Sequence, residues 1–177
     1  MNASCLNFDL SDDEQGGWKI AIGRGLAFVL ADTCCLYMKT HGFHWNVCGE
    51  QFFGLHRLFK EQYEDMWTGM DALAIRIREL GLFVPGSLTE MRTLSTLSEQ
   101  RGVPTWGDML RELISDHSIQ VDRICALRPA LVEAGDTTSV KLVDERRMAH
   151  ERMKWMLESS CSVRSSHVVL SVLETYA

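Results

Sequence analysis

From Phe52 to Leu80 an apolar residue returns every three or four positions: Leu55, Leu58, Phe59, Tyr63, Met66, Met70, Leu73, Ile77 and Leu80. That period puts all of them on one side of an α-helix. No proline interrupts the run, and Gly81 stands where a helix C-cap is needed. A helix of this length with one apolar stripe must bury it against elements of similar length. The same period recurs in three other places. Residues 19–45 carry it in Ile20, Leu26, Val29, Leu30, Cys34, Tyr37 and Met38. Residues 106–134 carry it in Met109, Leu110, Leu113, Ile114, Val121, Ile124 and Leu127, with Thr105 as N-cap and Pro129 predicting a kink. Residues 139–158 carry it in Leu142, Val143, Met148, Met153, Trp155, Met156 and Leu157.

Four long helices without a strand pattern predict an all-α four-helix bundle. A short helix is expected over residues 89–97, after Pro85-Gly86, with Ser87 or Thr89 as cap. It belongs in the crossover between helices two and three if those run parallel, which is the ferritin-like arrangement. The domain division that follows is an acidic N-terminal tail at 1–18, closed by Gly16-Gly17, then the bundle at 19–158 and a C-terminal extension at 159–177. In the extension, Val169, Val172, Leu173 and Tyr176 could form one amphipathic turn.

A net charge of −6 gives no general attraction to nucleic acid or anionic lipid. The six cysteines form no CxxC pair, which removes zinc knuckles and dithiol redox motifs. No secretory signal and no apolar run of ~18 residues is evident, so a cytoplasmic protein with no membrane span is expected.

The metal-binding residue types cluster between His41 and Gly81. Ferritin-like enzymes place iron inside the bundle on Glu-x-x-His pairs. The nearest match here is Arg147-Met-Ala-His150, and helix three offers Glu112 and Asp116 followed by His117. An in-bundle di-iron core is therefore rejected. His44, ending helix one, and His56, opening helix two, can approach each other. Asp71 lies fifteen residues beyond His56 on the same helix, roughly 22 Å away at 1.5 Å per residue. His44, His56 and Asp71 share a metal only if Asp71 comes from another copy of the chain.

The segments LADTCCLYMKTHGFHWNV, FFGLH, MDALAIRIRELG and AHERMKWML, spread over residues 20–158, resemble the Dps family of miniferritins, which protect DNA during starvation. The resemblance implies a homo-oligomeric shell of twelve subunits with an iron-oxidising centre at each two-fold interface. It also implies Fe(II) oxidation by hydrogen peroxide, iron storage, protection against oxidative stress and, in many members, DNA binding. Matched position by position, the family's two histidine ligands fall on His44 and His56, and its aspartate on Asp71. Its carboxylate after the second histidine falls on Lys60, and its glutamate after the aspartate on Ile75. Two of the five usual ligands are thus replaced. An aspartate of the iron-entry region falls on Lys141. These departures predict a ferroxidase weakened or lost, with iron, or zinc as a substitute, on the remaining ligands. They also suggest that Lys60 pairs with Asp71 across the interface in place of metal. The competing expectation is a non-enzymatic structural shell or nucleoid-associated protein. The acidic N-terminal tail, and a C-terminal segment with Arg164 alone, predict no strong DNA binding.

Other residues have plainer readings. His41, His117, His150 and His167 are expected at the surface or an interface. The methionines are expected to fill the core, Cys34 and Cys35 to be buried thiols, and Trp45 to pack at an interface.

Overall fold

The structure is a computed structural model that describes residues 14–161. The tail residues 1–13 and the segment 162–177, with His167 and the Val169–Tyr176 turn, lie outside the described residues. Five helices are present among the described residues: α1 (Glu14–Asn46), α2 (Phe52–Glu79), α3 (Leu88–Leu94), α4 (Trp106–Glu133) and α5 (Thr137–Cys161).

The helix ends show where local rules yielded to context. α1 begins at Glu14, so Gly16-Gly17 lies inside it; glycine is tolerated in a first turn because its N–H groups have no intrahelical partner there. α2 ends as expected. Gly81 has φ +88°, and the amides of Gly81 and Leu82 donate to the carbonyls of Arg78 and Ile77 in a Schellman cap. α4 runs on through Pro129 to Glu133. Pro129 sits in the last turns on an exposed face, so the Cys125 carbonyl it leaves unpaired faces water. α3 carries the Ser87–Glu90 capping box and stops at Leu94, three residues short of expectation. It stops because Ser95 Oγ and the Thr96 amide both donate to the buried Asp32 carboxylate, each at 2.7 Å.

Cross-bundle contacts fix the topology. His44 meets His56, and Tyr37 meets Tyr63, so α1 and α2 are antiparallel. Gln120 donates to Thr33 Oγ1, and Lys39 to Asp116, so α1 and α4 are antiparallel. Gln62 reaches Met153 and Arg76 reaches Ser139, pairing α2 with α5. His117 meets His150 and Arg128 meets Asp144, pairing α4 with α5. Every adjacent pair is antiparallel, so α2 and α4 run parallel, as a long crossover requires. They do so across the diagonal, with their side chains sharing the same core clusters. α3 and its flanks carry the chain back along α1.

The core has two apolar ends and a polar waist. Leu36, Phe43, Leu55, Phe59, Met66, Leu110, Leu113 and Leu157 fill the end near the α1–α2 turn. Leu26, Val29, Leu73, Ile77, Ile124, Leu131 and Val143 fill the other. Each fully buried side chain of this kind contributes roughly 1.5–3 kcal/mol. Between the two ends lie Thr33, Gly69, Asp116, His117, Gln120, Arg146 and His150. Gly69 is small because the Arg146 guanidinium carbon lies 2.6 Å from where a Cβ would stand.

The expectation that no segment is apolar enough to cross a membrane needs correction: α1 from Gly16 has the length and composition to do so. Half of that window is buried inside the bundle, which accounts for its apolar character without a membrane. Met148 and Trp155, expected in the core, are exposed on α5, whereas Met66 and Met153 are buried. Cys34 and Cys35 are half-buried.

Candidate metal centre

The α1–α2 hairpin brings His44 and His56 together as the sequence predicted. The chain reverses through residues 47–51, where Gly49 adopts φ +94°. Steric clash makes that conformation costly for residues with a side chain. The reversal stacks the two imidazoles with centroids 3.8 Å apart and planes 21° apart.

Their hydrogen bonds are reciprocal. His44 Nδ1 lies 2.7 Å from the His56 carbonyl, and His56 Nδ1 lies 2.9 Å from the His44 carbonyl. A carbonyl oxygen can only accept, so each Nδ1 carries the proton and donates it. Each Nε2 is then left with a lone pair. A metal-binding histidine characteristically donates its other ring nitrogen in this way, which fixes tautomer and ring orientation. Both side chains are half-buried, so part of each ring stays open to solvent.

The remaining predicted ligand is elsewhere. Asp71 is exposed, four turns along α2. It shares an outward face with Lys60, Glu64, Trp67 and Ile75, which follow at three- and four-residue spacing. Lys60 Nζ lies 3.7 Å from Glu64 Oε1 on its own helix, with both side chains about half exposed. Ile75 is 52% exposed and Trp67 63% exposed. Among the described residues no three His, Cys, Asp or Glu side chains converge to hold an ion. His44 and His56 thus stand together without a third such side chain converging on them among the described residues. Lys141, matched to the iron-entry position, is exposed and 3.9 Å from Glu145.

A dense aromatic group surrounds the histidine pair. His41 stacks on Tyr63 at 4.1 Å and lies 4.2 Å from Trp45. Tyr63 also contacts His44 at 5.4 Å, and Phe52 stacks on His56 at 5.0 Å. Burial and the neighbouring His44 lower the His41 pKa. Tyr63 counts in the sequence only as one member of an apolar stripe. Its position at the centre of these rings could be read only once α1 and α2 were docked.

Two other histidines depart from expectation. His117 and His150 are completely buried in the waist, with Nδ1 atoms 3.0 Å apart. Ring centroids 5.2 Å apart leave little more than a ring radius beyond each nitrogen, so the two meet head-on. One proton is shared between them in an N–H···N bond. Burial, and then the charge of Arg146, push the His117 pKa down to about 3. Burial likewise pushes His150 well below its ordinary value, aided by His117 and Arg146. Hydropathy missed them because the Nδ1 of each finds its partner only across the bundle, while both Nε2 atoms are buried without a hydrogen-bond partner.

A four-helix bundle with a crossover helix and a histidine pair at the hairpin is of ferritin-like type, and residues 25–163 match the ferritin-like domain family. The chain is 33% identical over 159 residues to an uncharacterised low temperature-induced protein of Nostoc, covering 87% of this chain and 85% of that protein. It is 31% identical over 135 residues to the DNA protection during starvation protein of Helicobacter pylori, covering 76% of this chain and 94% of the relative. The crystal structure of a Dps protein from Bacillus brevis superposes with a TM-score of 0.80 at 27% identity, covering 82% of this chain and 98% of that one. A Dps protein from Vibrio cholerae, described as a member of the ferritin-like diiron-carboxylate proteins, gives a TM-score of 0.80 at 26% identity over 83% and 92%. The chain belongs to the Dps family.

Proposed function

We propose that the protein is a cytoplasmic, iron-sequestering shell protein that protects against oxidative stress, with a ferroxidase centre shared between two subunits and weakened by its own sequence. The observation that carries this reading is the reciprocal Nδ1–carbonyl bonding of His44 and His56, which leaves both Nε2 lone pairs free. The iron-binding and stress-protection parts rest on family membership as well. Iron is the substrate and cargo. Imidazole suits Fe(II), and hard carboxylate oxygens complete such sites. Asp71 supplies one carboxylate when it comes from the partner subunit, in a homo-oligomer of twelve.

The weakening has a calculable cause. Two carboxylates would neutralise one Fe(II); here one remains. An ammonium at ~5 Å from a unit positive charge in an effective dielectric of ~20 is repelled by roughly 3 kcal/mol, and a divalent ion doubles this. The Lys60 pairing with Glu64 offsets part of that charge. Ile75 presents apolar surface where a second carboxylate would stand. The site therefore binds one iron weakly, and the ligands for a second iron are gone. A non-enzymatic shell, with Lys60 holding Asp71 of the partner subunit, is the reading these same two residues favour if no iron binds.

Stopped-flow oxidation of Fe(II) by peroxide separates the two, comparing the wild type with Lys60→Asp/Ile75→Glu. Slow oxidation in the wild type and a large gain in the double variant are expected. Rapid oxidation by the wild type would refute a weakened centre, and zinc titration of the His44→Ala/His56→Ala variant reports whether those imidazoles hold any metal.

A further inference from the structure

Sulfur gathers on one side of α1. Cys34, Cys35 and Met38 all line a cavity of about 450 Å³, whose other walls include Leu88 and Arg92 of α3 and residues of the crossover after it. No residue of α2 lines this cavity, so it lies apart from the face that carries Lys60, Asp71 and Ile75. Successive residues turn by about 100° around an α-helix. Met38 therefore stands about 40° from Cys34 and about 60° from Cys35, between the two thiols. Both cysteines are half-buried, and Met38 is 45% exposed. We propose that Cys34, Cys35 and Met38 form a binding site for a soft monovalent cation, copper(I), on the crossover side of α1.

The ligand types choose the metal. Thiolate and thioether sulfur are soft and select Cu(I). Among the described residues no third His, Cys, Asp or Glu joins the two cysteines. Zinc therefore lacks the four ligands of its closed sites, and iron lacks imidazole and carboxylate. Cu(I) has a filled d shell and is satisfied by two or three ligands. The thiols stay available because neighbouring residues have Cα atoms only ~3.8 Å apart. That is shorter than the ~4.4 Å lower end of ordinary disulfides, so Cys34 and Cys35 do not bridge while α1 is intact. Burial, and then Cys35, push the Cys34 thiol pKa up, so the free site holds it protonated and of low reactivity. Each Cu–S bond to a cysteine replaces an S–H bond and releases one proton to solvent. Met38 donates a lone pair and loses no proton, and copper stays Cu(I), so no oxidant or reductant is needed. The open cavity and the exposed Met38 give the ion a way in. Neither His44 nor His56 takes part, so the site stands whether or not iron binds there.

The test uses the full-length assembled protein, free of iron and without oxygen, with Cu(I) presented as its bicinchoninate complex. Cys48, Cys125 and Cys161 are exposed; they and Cys5 are replaced by Ser, which leaves Cys34 and Cys35 as the remaining thiols. In this reference protein one Cu(I) per chain is expected, and X-ray absorption should show sulfur ligands only. Cys34→Ser and Cys35→Ser should each lose the competition with bicinchoninate. Met38→Leu conserves volume at an exposed position, so the bundle survives it, and Cu(I) affinity should fall at least about tenfold. Met148→Leu, which alters an exposed methionine on α5 away from the cavity, should leave the affinity unchanged. Thermal melting followed by circular dichroism checks that the variants are folded, and Met38→Leu decides the matter if a serine variant is not. Affinity unchanged in Met38→Leu would overturn the three-sulfur site. A copper shell of nitrogen ligands would put the ion on the histidines and overturn it as well, as would no uptake of Cu(I) by the reference protein.

Discussion

Lowering the pH should attack the bundle through His117 and His150. The folded protein keeps His117 neutral down to about pH 3, against 6.5 for the free side chain. Each unit of difference is worth ~1.4 kcal/mol. The sign follows from proton binding. Below pH 6.5 the unfolded chain takes up a proton that the folded chain refuses, so stability falls as pH drops from about 6.5 towards 3. His117 alone then costs about 2 kcal/mol by pH 5 and about 4 kcal/mol by pH 3. His150 shifts in the same direction and adds to this loss. Such a loss is large beside a typical domain stability of ~5–15 kcal/mol. The assay is urea unfolding at pH 7.5 and pH 5, at one fixed protein concentration because subunit assembly shifts apparent stability. The wild type is compared with His117→Leu/His150→Leu, which removes both titrating groups and leaves no unpaired imidazole. Carboxylates contribute equally to both proteins and cancel. The wild type should lose at least ~2 kcal/mol more than the double variant between the two pH values. Equal losses would refute the idea that burial holds this pair neutral.

Other consequences are more local. Asp32 is completely buried and accepts from Ser95, Thr96 and the Arg123 guanidinium. Asp32→Ala should cost about 3 kcal/mol by stranding Arg123, and hydrogen exchange should quicken first in the α3 crossover rather than in α4. DNA should give no band shift at about 0.15 M salt, since binding without clustered lysines loses its counterion-release drive; a clear shift would show that charge outside the described helices does the binding.

The long elements were legible in the sequence because their apolar residues keep the helical period and glycines stand at Gly49, Gly81, Gly102 and Gly135, each with positive φ. The approach of His44 to His56 was legible too, since a short hairpin turn leaves little choice. What hydropathy could not show was the waist. His117, Gln120 and His150 are polar residues on inward faces, and each is tolerable there because a partner on another helix meets it. Their burial depends on tertiary pairing. The same holds for the end of α3, which depends on Asp32 from α1. The reciprocal histidine bonds and the place of Tyr63 also arise only after α1 and α2 dock. Lys60 and Ile75 were visible as departures from the family pattern, and the structure places both on the outward face of α2 with Asp71.

The weakened, shared centre is tested most directly by anomalous diffraction at the iron edge from crystals of the assembled protein soaked in Fe(II). The account predicts at most one partly occupied iron per site, bound by His44 Nε2, His56 Nε2 and Asp71 of the partner subunit, with Lys60 turned towards Glu64. Two fully occupied irons at each site, or a single iron held by ligands of one subunit alone, would contradict it.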